Sequence, residues 1–255
     1  MEGKTAIVTG AAGGIGEAVV RSLCERGVRV AAVDREADRL DETVRRQDPG
    51  AAVEAFPADV TSAGQVEELV AAVEHRLGPV DYLVNAAGVL RLGEARKLTG
   101  QDWADTFAVN TTGVFHMSRA VVNRMVGRGR GAIVTVASNA AGTPRTGMAA
   151  YAASKAATTM FTKCLGLEVA RYGIRCNVVA PGSTDTTMLS SMWQDESGLR
   201  GTVDGRPEEY RVGIPLGRIA APATVADSVV FLLSDQASHI TLHALTVDGG
   251  ASLGV

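Results

Sequence analysis

Tyr151 and Lys155 stand four residues apart in the stretch SNAAGTPRTGMAAYAASK, residues 138–155. On a helix that spacing puts both side chains on one face, one turn apart. An ammonium near a phenol favours the ionised phenol, whose ordinary pKa is about 10. A tyrosinate available near neutral pH is a general base for the proton of an alcohol. Ser138 opens the same stretch, at the end of an apolar run.

A second constellation lies near the N-terminus. The apolar run TAIVT, Thr5–Thr9, reads as a buried parallel strand and leads into TGAAGGIG, with Gly10, Gly14 and Gly16 spaced G-x-x-x-G-x-G. A helical pattern follows, with Ile15, Val19, Val20 and Leu23 on one face, and stops at Gly27. Tight turns collect glycines anyway. Between a strand and a helix, however, glycines let the backbone approach a pyrophosphate, and the helix N-terminus offers free N–H groups. The next strand, 28–33, ends in Asp34, 18 residues after Gly16. An acid at that distance accepts hydrogen bonds from ribose hydroxyls and repels a 2′-phosphate, which favours NAD over NADP. Arg35 is the neighbour that could instead greet a phosphate, and the bland alternative makes Asp34 a turn cap.

The remaining elements alternate. Residues 36–46 read as a surface helix, and 52–58 as a strand running into Asp59 and Val60. Asp59 could hold the adenine amino group or cap the helix that starts at Ser62. That helix shows Val66, Leu69, Val70 and Val73 on one face and ends at Gly78-Pro79. Strand 81–84 closes on Asn85-Ala86-Ala87-Gly88. One helix is expected over 101–124, with Asn110 inside it as an interior hydrogen-bonder or part of a proton path. Strand 131–138 delivers Ser138 to its C-terminal end, the edge where open α/β sheets bind ligands. A helix over 149–172 carries Tyr151 and Lys155, and strand 174–180 ends in Pro181-Gly182. Residues 184–213 lack a period but hold Met188, Met192 and Trp193, which reads as a lid over something small. A last helix (224–233) and strand (Ala244–Val247) precede Asp248-Gly249-Gly250.

No repeat or linker interrupts the alternation. The expected architecture is one α/β domain over 1–255, a doubly wound parallel sheet of about seven strands with helices on both faces. With 46% hydrophobic and 21% charged residues, the composition is that of a globular chain. A net charge of −3 leaves no basic footprint for nucleic acid. Cys24, Cys164 and Cys176 are scattered and read as reduced thiols. With no signal-peptide pattern and no apolar run near the ~18–20 residues of a membrane span, the expected location is the cytoplasm. His239 and His243 have i,i+4 spacing but no ligand set around them, so no metal is expected.

Together these pieces resemble the short-chain dehydrogenases/reductases. The residues that carry the resemblance are TGAAGGIG (9–16), Asp59-Val60, NAAG (85–88), Asn110, Ser138, Tyr151 with Lys155, and Pro181-Gly182. It implies a Rossmann-type fold, NAD in the glycine cradle, and a homotetramer built on the helices around 102–125 and 152–172. It also implies Tyr151 as catalytic base and Ser138 as hydrogen-bond partner of the reacting oxygen. Lys155 would bind the nicotinamide ribose and lower the tyrosine pKa, and Asn110 would hold a water of the proton relay.

Longer segments, including 85–93, 131–157, 174–188 and 213–220, are similar to family members that oxidise a cyclohexadiene diol carboxylate with NAD, the product then aromatising. Such a substrate needs a cation. Arg145, between Ser138 and Tyr151, and Arg91, beyond the fourth strand, are the candidates, with Met148, Met188 and Met192 around the ring. Asn139 and Gly142 depart from the family pattern of an acid and a histidine, which leaves open a ring bearing an amino group in place of the 2-hydroxyl. An NADP-linked 3-oxoacyl reductase fits Asp34 and the arginines poorly, and a non-catalytic nucleotide sensor would not keep all four catalytic residues.

Overall fold

The computed structural model describes residues 1–193, 195 and 197–254. Gln194 and Glu196, which fall in the expected lid, and Val255 lie outside the described residues.

Seven strands form one parallel sheet: β1 (Thr5–Thr9), β2 (Arg29–Asp34), β3 (Val53–Pro57), β4 (Val80–Asn85), β5 (Gly131–Val136), β6 (Ile174–Pro181) and, after a hairpin of two-residue strands, β9 (Ala244–Val247). The hairpin pairs β7 (Gly205–Arg206) with β8 (Arg211–Val212). The sheet order is β3-β2-β1-β4-β5-β6-β9, every pairing parallel. Alternate residues of each strand enter different cores. Ala6, Val8, Val30, Ala32 and Val84 pack on one side, while Ile7, Ala31, Val33 and Leu83 pack on the other. Helices α1 (Gly14–Cys24) and α9 (Pro222–Leu233) cover the first side; α3 (Ala63–Leu77) and α5 (Val114–Val126) cover the second. Each Val, Leu or Ile so buried adds about 1.5–3 kcal/mol, so the strand ends are rigid platforms for whatever they carry.

The order reverses between β1 and β4, which opens a crevice at their C-terminal ends. Thr9 shapes it: its Oγ1 accepts from the backbone N–H of Ala86 and Ala87 at 3.1 and 3.2 Å, tying the loop after β4 to the end of β1.

The expected helix over 101–124 is three pieces. Helix α4 (Gly100–Phe107) widens into a π turn (Ala108–Gly113) before α5 resumes. The wide turn brings Gly113 against Val60, where a Cβ would stand 2.6 Å from the valine Cγ2, and turns Asn110 inward. A turn of this kind inside a helix often marks a functional site. The helix carrying Tyr151 and Lys155, α6 (Ala149–Val169), ends as α-helix at Val169 and continues to Tyr172 as a tighter turn. Gly166 lets it lie against β6: a Cβ there would meet Leu242 at 2.6 Å and Cys176 at 3.0 Å. The aperiodic stretch after β6 holds two short helices, α7 (Thr187–Ser190) and α8 (Ser197–Asp204), and then the hairpin. Alpha2 (Ala37–Arg45) completes the set. Among the described residues, no helix is long and apolar enough to cross a membrane.

Candidate active site

Ser138 stands two residues beyond β5 with extended backbone, and its Oγ accepts from Ala140 N at 3.1 Å, which caps a short 3₁₀ turn. Tyr151 and Lys155 face it from the first two turns of α6. All three line one cavity above the sheet edge. Lys155 is 5% exposed and donates from Nζ to Val136 O at 2.9 Å, clipping the helix to the end of β5.

The electrostatics differ from the simple expectation for a phenol beside an ammonium. Burial raises the Tyr151 pKa, and the Ser138 hydroxyl facing it pulls the other way. The Lys155 ammonium is directed at the Val136 carbonyl and lies 5.8 Å from the tyrosine ring centroid. Burial lowers the Lys155 pKa to about 8. The chain's own groups therefore hold the phenol neutral. When bound, oxidised nicotinamide supplies a hydride acceptor and a positive charge beside it.

A second cavity adjoins the first, sharing Ile15, Ala86, Gly88, Thr186 and Met188 as wall. Its lining includes Gly10, Gly14, Ile15, Gly16, Asp34, Asp59, Val60 and Gly88. The fit to a dinucleotide is physical. Gly10 has φ +69° and any Cβ there would strike the Ala86–Ala87 backbone at 2.7 Å; a Cβ at Gly16 would overlap the Gly10 carbonyl oxygen. The α1 N-terminus has no side-chain cap, so its N–H groups are free for phosphate oxygens. Asp34 accepts from Ala12 N at 3.1 Å and Glu36 N at 3.3 Å, which fixes its carboxylate at the end of β2 with lone pairs left for ribose hydroxyls. Asp59 Oδ1 accepts from Thr61 N, whereas Ser62 caps α3; of the two readings for Asp59, the helix cap belongs to its neighbour.

Three expected residues do not line either cavity. Asn85 is buried and donates to Ser118 Oγ and Thr135 Oγ1, a sheet-to-helix tie inside the core. Asn110, fully buried, accepts from Val89 N at 2.8 Å and donates to Val89 O at 2.9 Å and Ser154 Oγ at 3.0 Å. Both its amide hydrogens are thus engaged in holding the 85–90 segment against α6. Gly88 sits between Asn110 and Lys155: a Cβ there would come within 3.4 Å of both side chains. Arg91 is exposed and acts on Asp102, away from the cavity wall. Arg145, Met148, Met188, Met192, Pro181 and Gly182 do line the catalytic cavity.

Arg211 lines it as well, and no feature of the sequence marks it, because its segment has no period and the strands of its hairpin are only two residues each. Thr186 was equally hidden; it caps α7 and its methyl fills the space beside Gly14, joining the expected lid to the phosphate cradle.

The short chain dehydrogenase family profile matches residues 4–197. The chain is a short-chain dehydrogenase. It is 54% identical over 256 residues to 2,3-dihydro-2,3-dihydroxybenzoate dehydrogenase of Bacillus subtilis, covering 100% of this chain and 98% of that one. The enzyme of the same name from Escherichia coli is 44% identical over 252 residues, with 99% and 98% covered. Among solved structures, that of gox2181 superposes with a TM-score of 0.89 at 32% identity, covering 99% of this chain and 97% of the other.

For this short-chain dehydrogenase, Asp34→Ala is expected to lower kcat/KM for NAD by about 10- to 100-fold, the worth of hydrogen bonds to a charged acceptor. Arg35 and Arg39 line the same cavity, so NADP use should improve over wild type. Initial rates with each dinucleotide decide it. An unchanged NAD preference would remove Asp34 from the ribose site.

Proposed function

We propose that this short-chain dehydrogenase oxidises a ring alcohol of a dihydro-aromatic carboxylic acid with NAD, converting 2,3-dihydro-2,3-dihydroxybenzoate to 2,3-dihydroxybenzoate. The observation that carries the reading is the full-length identity to two enzymes so named, joined to a cavity that holds Ser138, Tyr151, Lys155 and Arg145 together. With Tyr151 ionised, the carbinol would give its O–H proton to the tyrosinate and its C–H as hydride to bound NAD, and the resulting dienone would lose a ring proton and enolise. The products are the catechol acid, NADH and one proton. Gain of aromaticity drives the sequence forward. Ser138 hydrogen-bonds the reacting oxygen and Lys155 holds the ribose side of the cofactor. Asn110 ties the loop at Val89 to Ser154 of α6. Arg145 takes the carboxylate; it is half-buried, and Asp248, the acid that acts on it, is occupied by Ser252, Gly250 and Asn139.

Asn139 is compatible with a second substrate. Its Nδ2 is held by Asp248 Oδ2 at 3.1 Å, which leaves its carbonyl oxygen as the group offered to a ligand. That oxygen accepts from a hydroxyl or an amine alike, so trans-2,3-dihydro-3-hydroxyanthranilate satisfies it too. Gly142 is exposed and is not part of the cavity wall.

NAD reduction assayed with the two acids side by side tests the proposal. The dihydroxy acid is expected to show the higher kcat/KM. Turnover of simple secondary alcohols with neither acid consumed would overturn it.

The assembly we propose is a homotetramer working in the cytoplasm. Trp103, Phe115, Met160 and Leu167 expose 46%, 40%, 61% and 70% of their surface on α4, α5 and α6, an apolar face of the kind an oligomer covers.

A further inference from the structure

We infer that Arg211 is a second anchor for the substrate carboxylate, and that the acid, bridging Arg211 and Arg145, holds the 205–212 hairpin at the catalytic cavity. The inference rests on the carboxylic acid reading above. Arg145 comes from the loop before α6 and Arg211 from the first position of β8, two elements remote in sequence. Both line the cavity of Ser138 and Tyr151, and both also wall an outer cavity beside it, bounded by Trp193, Arg206 and Tyr210. The two arginines, with Met148, Met192 and Thr202, therefore stand between the catalytic cavity and the outer one.

Among the described residues neither is in an ion pair, although Glu209 acts on Arg211 and Asp248 on Arg145 from a distance. Burial first, then the neighbouring Arg145, acts against the charge on Arg211, and Glu209 offsets this only in part. Arg206 on the same hairpin, by contrast, is paired with Glu209 at 3.2 Å. Asp248, the acid facing Arg145, already accepts from Asn139, Gly250 and Ser252. The side-chain hydrogen bond of Arg211 goes to Ser183 Oγ at 3.3 Å, across the mouth from the hairpin to the end of β6. Two half-buried cations of like sign, on separate elements, repel until an anion lies between them. A guanidinium binds a carboxylate through two parallel N–H bonds, so one carboxylate with two oxygens satisfies both forks. Apolar Met148, Met188, Met192 and Ile214 around the same cavity leave room for a ring behind that group.

The experiment compares wild type with Arg211→Gln and Arg211→Lys in the presence of NAD. Substrates are 2,3-dihydro-2,3-dihydroxybenzoate and the corresponding cyclohexadiene diol without the carboxylate. Arg211→Gln is expected to raise KM for the acid on the order of 10- to 100-fold while kcat/KM for the neutral diol stays within about twofold; Arg211→Lys should fall between. Independently of turnover, benzoate added to the NADH complex should slow amide exchange across 197–213 in wild type and not in Arg211→Gln. Retained NADH binding in each variant shows that it is folded. Wild-type turnover of the acid with an unchanged KM in Arg211→Gln overturns the anchor and leaves the reaction standing. An equal loss on both substrates also overturns it, since that marks a structural role. Benzoate protection lost in Arg211→Gln, in an enzyme that consumes neither dihydro acid, supports the anchor and removes the reaction.

Discussion

Replacing Tyr151 by Phe is expected to lower kcat by on the order of 10²–10⁴-fold, the usual worth of a positioned general base. The substitution keeps the ring that packs near Lys155 and deletes only the hydroxyl that faces Ser138. Binding of NADH, which depends on the glycine cradle and Asp34, should survive. The pH profile carries a second signature. Burial raises the phenol pKa above its ordinary 10, so the base form is gained only as pH rises and kcat/KM for oxidation should still be climbing across the neutral and mildly alkaline range, with no plateau there. In Tyr151→Phe that limb should vanish from whatever activity remains. Stopped-flow NADH formation across pH, with fluorescence titration of NADH, measures both; a variant within tenfold of wild type would disprove the role.

Lys155→Met should do two opposite things: abolish most turnover and stabilise the ligand-free protein at neutral pH. Lys155 has a pKa of about 8 in the fold against 10.5 for the ordinary side chain, because burial opposes its charge. Between those two values the unfolded chain binds more protons than the folded one, so stability rises with pH from about 8 to 10.5. Below pH 8 both states are protonated and the fold bears the full cost, about 3 kcal/mol. Methionine removes that cost and forfeits the hydrogen bond to Val136 O, which is worth about 1 kcal/mol net and more if the carbonyl is left dry. The expected balance is a gain on the order of 1–2 kcal/mol at pH 7, or several degrees in Tm, fading toward pH 10. Urea melts at pH 7 and pH 10 without cofactor test it. A variant less stable than wild type by the same margin at both pH values would show that Lys155 is a structural tie and not a strained catalytic charge.

The same arithmetic explains why the lysine is where it is. A buried ammonium next to a strand carbonyl is a poor way to stabilise a sheet, which fits the proposed role of Lys155 at the cofactor. Asn110 is different in kind. Its amide is spent on Val89 and Ser154, and its place in a π turn is what lets it reach them.

Much of the molecule was legible from local pattern. Strands buried on both faces give unbroken apolar runs such as TAIVT, and the helices between them repeat at 3.6 residues, so the alternation and the seven-stranded parallel sheet could be read directly. The glycine cradle, Asp34, Ser138 and the Tyr151/Lys155 pair are short-range motifs whose chemistry is bound to their spacing, and each lines the cavity expected of it. Local pattern also has limits inside the elements it finds. A hydrophobic period runs through 101–124 without a break, yet the chain inserts a π turn there because Gly113 must meet Val60 and Asn110 must meet Val89, partners distant in sequence.

Only the tertiary structure decided what surrounds the substrate. Arg91 and Arg145 look alike in sequence, each beyond a strand at the same sheet edge. Folding leaves Arg91 in solvent beside Asp102 and carries Arg145 into the cavity. Arg211 has no motif at all; it shares a cavity with Arg145 because the 205–212 hairpin carries it there. Asn85 sits in a recognisable motif but points into the core, toward Ser118 and Thr135. The physical reason is common to all three. Spacing of a few residues is enforced by backbone geometry, which every stretch of sequence carries with it, whereas the meeting of remote side chains is set by how whole elements pack.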